Sequence, residues 1–149
     1  MNRLAPFVLQ GLLLCACVGP FSEDFESHYP DVPTARQAGA FERGWLPEFV
    51  PPEASDISEE HNIDTNVTWA CFSTPAGPAG VRALLQKQGA KRVAGPVGKG
   101  PRGFFGTKDW WPSSMTEAQV EAYQVTESSR FALVVGVDPA GGRVCFHRS

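Results

Sequence analysis

Apolar and polar positions alternate most cleanly at Phe131, Leu133, Val135 and Val137, which predicts a strand with one buried face. Asp138-Pro139-Ala140-Gly141-Gly142 reads as a turn, and Val144 and Phe146 mark the returning strand. Val120 to Glu127 predicts a strand ahead of these two, although Met115 to Tyr123 also fits a helix. The result is a meander over 120–148. Val81, Leu84 and Leu85 recur at helical spacing and predict a helix over 75–88, with Thr74 as its cap, Pro75 near its start and Gly89 at its end. Thr34 to Ala40, with Pro33 in front and Gly39 near the end, predicts a shorter helix. Trp45, Leu46, Phe49 and Val50 lie among prolines that enforce extended or turning backbone, and they pack on the edge of the core. Ala54 to His61 is ambiguous: Glu59-Glu60 favour helix, whereas Ile57, Glu59 and His61 alternate with Asp56, Ser58 and Glu60 as in a strand. Lys91 to Lys108 holds five glycines and two prolines without a period and reads as a long loop. Phe104-Phe105 and Trp110-Trp111-Pro112 are its expected anchors to the core.

The 15 glycines and 13 prolines among 149 residues favour short elements joined by many turns. Hydrophobic residues make up 42%, enough for a core, and a net charge of −3 argues against nucleic acid as a partner. The expected fold is α+β: a small, mainly antiparallel sheet, with a hairpin over 56–73 and the meander, and one helix packed on it.

The N-terminus carries an address. One positive charge, Arg3, precedes an apolar run from Leu4 to Leu14, too short to span a bilayer and suited to a signal peptide. Leu14-Cys15-Ala16-Cys17 has the form of a bacterial lipobox with Cys17 lipidated; an ordinary cleaved signal peptide is the alternative. Cys15 fits less well, because bulky Leu14 would then occupy the cleavage position. The organisation expected is a signal peptide over 1–16, a lipidated Cys17 and tether over 17–32, and one globular domain over 33–149. Phe21, Phe25 and Tyr29 in the tether leave open a return onto the domain. Val18 after the cysteine fits sorting to the outer membrane in proteobacteria, on its inner leaflet facing the periplasm. Acyl chains would then supply the membrane contact, at about 0.8 kcal/mol per buried CH₂.

Cys71 and Cys145 remain. An even pair in an oxidising compartment favours a disulfide. Against this, alternation puts Cys145 opposite Val144 and Phe146, whereas Cys71 shares a face with Val67 and Trp69, and those faces need not meet. A catalytic thiol has little support, since nothing near Cys71 would lower its pKa.

Gly44-Trp45-Leu46-Pro47, then Pro51, Ala54 and Ile57, then Asp64-Thr65-Asn66 ahead of Trp69 and Phe72, resemble a widespread group of bacterial proteins, many of them lipoproteins, the YbbD head domain group. The likeness runs roughly over Ala38–Leu85. It implies a strand entered from the Pro-x-x-Ala-x-x-Ile segment, a polar turn over Asn62–Asn66, and a second strand leading to a helix. It implies no chemistry.

Candidate chemistry is sparse. His61, Asp64 and Glu60 could be weighed as metal ligands, but His28, His61 and His147 are widely spaced, so no metal and no cofactor is expected. Gly98-Lys99-Gly100 is followed by Pro101 rather than Ser or Thr opening a helix, which excludes a P-loop. Acids dominate Val18–Asp64, whereas Thr65–Lys108 has none against Arg82, Lys87, Lys91, Arg92, Lys99, Arg102 and Lys108. Either the two segments fold against each other or a basic face meets an acidic partner. Trp45, His61, Asp64, Asn66, Trp110 and Trp111 form the candidate binding surface. The function expected is a non-enzymatic, membrane-anchored envelope lipoprotein that binds a protein partner. The runner-up is an immunity or inhibitor protein against a toxin or envelope hydrolase. A small hydrolase is a third reading, and it would need His61 or His147 beside a nucleophile.

Overall fold

The computed structural model describes residues 23–103, 106–126, 132–138 and 142–149. The signal peptide over 1–16, Cys17, Phe21, Phe104-Phe105, Phe131 and the tip of the turn at 139–141 lie outside the described residues. Nine strands are described: β1 (Asp24–Asp31), β2 (Ser55–Asn62), β3 (Thr68–Ser73), β4 (Lys91–Val93), β5 (Arg102–Gly103), β6 (Gly106–Thr107), β7 (Glu121–Thr126), β8 (Ala132–Val137) and β9 (Arg143–Arg148). Two α-helices accompany them, α1 (Val32–Gln37) and α2 (Gly77–Lys87), with a 3₁₀ turn at Ser113–Thr116.

Seven strands form one sheet in the order β1-β2-β3-β9-β8-β7-β4, antiparallel at every junction. This is α+β as expected, but the sheet is large rather than small. The hairpin and the meander are its two halves, joined where β3 pairs β9. After β3 the chain crosses through α2 to the far edge at β4, and the meander then returns strand by strand to the centre.

Four expectations need correction. The tether over 17–32 is, from Asp24 onward, an edge strand: Phe25 pairs His61, Ser27 pairs Glu59 and Tyr29 pairs Ile57. An edge strand needs few apolar residues, and here only Tyr29 is buried, so its charges disguised it. Helix 75–88 is shorter, because the Thr74 hydroxyl accepts from Ala76 N at 3.3 Å in a turn before the helix instead of capping it. Lys91–Lys108 is not patternless, since it supplies β4 and the β5–β6 ribbon. The helical alternative at Met115–Tyr123 reduces to the 3₁₀ turn, and β7 begins at Glu121.

Elsewhere local chemistry sets the elements. Asp31 caps α1, its carboxylate accepting from Thr34 N at 2.9 Å, and hydrogen bonds from the Thr34 side chain and backbone lower its pKa. Gly44 sits at φ 77°, in the left-handed region, and turns the chain so that Trp45 N and Leu46 N both donate to Ala40 O. Leu46, Phe49 and Val50 are thereby buried, with Trp45 packed against them. Ser55–Asn62 resolves as strand, with a bulge at Asp56 (φ 50°) that Arg143 holds through its carboxylate and its backbone oxygen.

Both faces of the sheet are covered. One carries Tyr29, Ile57, Ala70, Phe72, Leu133, Val135, Val144 and Phe146 beneath α1, α2 and the 40–54 segment. The other carries Cys71, Ala122 and Cys145 beneath Val97, Trp111, Met115 and Val120. The covering segment lies so close that a Cβ on Gly136 would come within 2.2 Å of Val97 Cγ2. Two-sided burial answers the cysteine question. Cys71 and Cys145 are direct partners across β3 and β9, on the same face, 4.0 Å apart at Cα and joined by a disulfide. Val144 and Phe146 face the other core.

The bridge closes a loop with a sequence separation of 74, so chain-entropy arguments put its contribution at about 4 kcal/mol. Reduction, or Cys71→Ala with Cys145→Ala, should lower unfolding free energy by roughly that amount in urea titrations. The oxidised, unfolded chain should show no free thiol from this pair.

Candidate functional site

Asn62 builds the hairpin turn. Its side-chain oxygen accepts from Asp64 N at 3.1 Å, Thr65 N at 2.8 Å and Thr65 Oγ1 at 2.9 Å, while its amide donates to Asp24 at 2.7 Å. Asn66 takes φ 60° and closes the turn. Asp64 and Asn66 are thus accounted for by loop geometry. Asp64 also bonds the neighbouring Glu23 carboxyl and raises its pKa.

On the α1 face, His61 lies against Trp45, ring centroids 3.7 Å apart, with Phe25 at 5.7 Å and the Arg43 guanidinium 4.9 Å from the Trp45 ring. His61 is buried, and its Nδ1 meets Glu59 Oε2 at 3.0 Å. Burial raises the Glu59 pKa, with the bond to His61 opposing it. The opening here, between Arg43, Trp45, His61, Asn66 and Arg148, is about 120 Å³. That is too small for an ordinary organic ligand. Arg148 seals one side by donating to Gly44 O.

The opposite face carries a wider cleft. Glu26, Glu60, Trp69 and His147 form one row across β1, β2, β3 and β9. Lys108 reaches in from the covering segment, 2.6 Å from Glu26 Oε2 and 3.4 Å from Glu60 Oε2. Trp110 Nε1 donates to Glu26 Oε1 at 2.7 Å. Burial pushes the Glu26 pKa upward, but the bonds from Lys108 and Trp110 outweigh it and hold it below the ordinary 4.5. Glu60 goes the other way: burial raises it, Lys108 opposes, and Glu26 and Asp24 add to the rise. Beside this cluster opens a cleft of about 320 Å³, with Asp24 and Glu60 on one side, Lys99 and Arg102 on the other, and Trp69 between. Trp69 Nε1 donates to Lys99 O at 3.1 Å and its ring stacks on His147, whose pKa burial lowers. A second opening of about 380 Å³, beside the β5–β6 ribbon, shares Lys99 and Arg102.

The six residues of the expected binding surface therefore separate. Trp45, His61 and Asn66 meet at the small opening, Asp64 is in the turn, and Trp110 and Trp111 are on the other face. Trp111 is a correction: at 4% exposure it is core, packed there with Met115 and Cys71, and it anchors the covering segment. Trp69, Glu60, Lys99 and Arg102 as a group were not legible beforehand; the one available signal was Trp69 alternating with Cys71 on a strand. From the basic segment Thr65–Lys108, Lys108 pairs with Glu26 and Glu60 of the acidic segment Val18–Asp64.

Neither His61 nor His147 shares a described hydrogen bond with Ser, Thr or Cys. His28 does, its Nδ1 3.0 Å from Ser58 Oγ and its Nε2 3.3 Å from Glu26. These are the atom types of a hydrolase triad. Ser58 is only 3% exposed, however, and Glu26 is occupied by Lys108 and Trp110, so the line serves to bind strand β1 to β2. Among the described residues no group of three acids, histidines or cysteines could hold a metal, and no helix is long and apolar enough to cross a membrane.

Residues 23–73 match the family model of the YbbD head domain. That span is β1, α1, β2 and β3, which places the matched unit before α2 and starts it at the edge strand. The chain resembles this domain over about a third of its length. Comparison with curated proteins and with solved structures finds no match.

Lys108→Met should separate the cluster's electrostatics from its packing. A carboxyl with a lowered folded pKa adds stability above its unfolded value and loses it as pH falls. The variant should therefore be about 1–2 kcal/mol less stable at pH 7, intermediate between exposed and buried pairs, and the gap should close below about pH 4.5. Urea unfolding at the two pH values checks this.

Proposed function

We propose that this chain is a bacterial envelope lipoprotein, moored through Cys17, whose head is a non-enzymatic binding module. Its likeness to the YbbD head domain is in keeping with a bacterial envelope protein, and the N-terminal pattern supports the anchor. The observation that carries the binding role is the cleft at Trp69. Its lining brings charges of both signs, Asp24 and Glu60 with Lys99 and Arg102, together beside an indole. At about 320 Å³ it lies at the lower end of ligand-pocket volumes and suits one or two residues of an inserted chain. A terminal residue with both ammonium and carboxylate, or a lysine–glutamate pair on a partner loop, complements both walls. The favoured partner is another envelope protein.

A second reading is an immunity or inhibitor protein against a toxin or envelope hydrolase. The same cleft favours it, because inhibitors commonly meet their targets through charge-complementary surfaces. A protected target enzyme distinguishes the two.

Cys17→Ala should shift the protein from the membrane to the soluble fraction and abolish palmitate labelling; unchanged fractionation removes the anchor. Trp69→Ala should lose partner capture after crosslinking in detergent-solubilised membranes while far-UV circular dichroism is retained. Capture that survives Trp69→Ala and Lys99→Glu together rules the cleft out.

A further inference from the structure

The two large hydrophobic residues most exposed among those described are Phe25 (49%) and Ile63 (53%). They are not scattered. Phe25 pairs His61 across β1 and β2 and stacks near its ring, and Ile63, in the turn that follows β2, lines one opening together with His61 and Trp45. Ile63 N donates to Glu23 O at 3.1 Å, which extends the ladder to this corner. Trp45 and His61 continue the apolar surface inward, and Arg43 and Arg148 line the adjoining opening.

This is also the corner from which the chain runs back toward Cys17. Seven residue steps separate Cys17 from Asp24, and a fully extended chain covers at most about 3.6 Å per residue. If Cys17 carries lipid, the start of β1 cannot lie more than about 25 Å from the acyl chains. The patch is thus held beside the membrane by the shortest covalent path in the molecule. An aromatic ring and a branched aliphatic side chain suit the interfacial layer, and the arginines suit phosphate oxygens. Glu23, Asp24 and Asp64 stand at the same corner and disfavour an anionic surface.

The geometry points to a lipid-docking surface at Phe25 and Ile63, which seats the head on a neutral, zwitterionic phospholipid bilayer. This rests on the Cys17 anchor but is a separate claim, because an anchored head could equally hang free. The test uses the full lipidated protein in phosphatidylethanolamine–phosphatidylcholine vesicles. Phe25→Trp places a reporter at the patch, and vesicles with brominated acyl chains should quench its added fluorescence at least two-fold. Ile63→Asp introduced alongside should relieve that quenching while the protein still floats with the vesicles. Replacing a third of the lipid with phosphatidylglycerol should weaken it. Flotation without quenching overturns the docking and leaves the anchor standing. Failure to float overturns the anchor, and the docking with it. Quenching that depends on protein density rather than on bromolipid assigns the patch to a second copy of the chain. Near-UV circular dichroism of each variant confirms that the head remains folded.

Discussion

The pairing of β3 with β9 is the constraint on which the molecule depends. Without it there would be two incomplete sheets. One is the three-stranded unit that resembles the YbbD head domain, and the other is the meander with β4 at its edge. Each would expose a long, apolar, unpaired edge, the condition that leads strands to aggregate. The seam removes both edges at once. It also places Cys71 opposite Cys145, where a covalent bond can close only if the register is right. A slip of one residue would turn every side chain of a strand to the other face, and both faces are packed.

Two-sided burial explains what could be read from the chain and what could not. Strong alternation at Leu133, Val135 and Val137, and at Val144 and Phe146, marks strands because, Val134 apart, the residues between and beside them are small or polar: Gly136, Arg143, Cys145 and His147. The helix at Val81 and Leu85 shows for the same reason. Alternation places Cys145 away from Cys71 only where a sheet has a single buried face. Once Val97, Trp111, Met115 and Val120 cover the second face, Cys145 can be inward while Val144 and Phe146 are inward too. Beta1 escaped because an edge strand is stabilised by its backbone ladder, and its acids find local partners: Asp24 accepts from Asn62, Glu26 from Lys108 and Trp110, and Asp31 from Thr34 N. Beta4 and the β5–β6 ribbon escaped because two or three residues cannot establish a period.

The candidate site was legible in part for a related reason. The polar run from His61 to Asn66 stood out by composition, but most of it builds a turn around Asn62. Trp45 and His61 do meet, since Gly44 turns the chain over β2. The cleft at Trp69 assembles residues from β1, β2, β3 and the covering segment, separated by as much as 78 positions between Asp24 and Arg102. Nothing local announces such a juxtaposition; it follows only from the strand order.

That strand order also links the cleft to the proposed seating on lipid. Asp24 and Phe25 are consecutive on β1, so their side chains leave the sheet on opposite faces. Asp24 lines the cleft, and Phe25 belongs to the apolar corner. A head resting on Phe25 and Ile63 would therefore turn Trp69, Lys99 and Arg102 away from the bilayer. A lipidated Cys17 would have the same consequence from the other direction, since only seven residue steps would join it to the start of β1. A cleft presented this way meets partners arriving from the aqueous side, and its mixed charges keep it from competing with the corner for lipid. Anchor, docking corner and cleft then form one arrangement in which the edge strand β1 sets the orientation. The charges that made β1 look like a linker are the same ones that let it serve both faces.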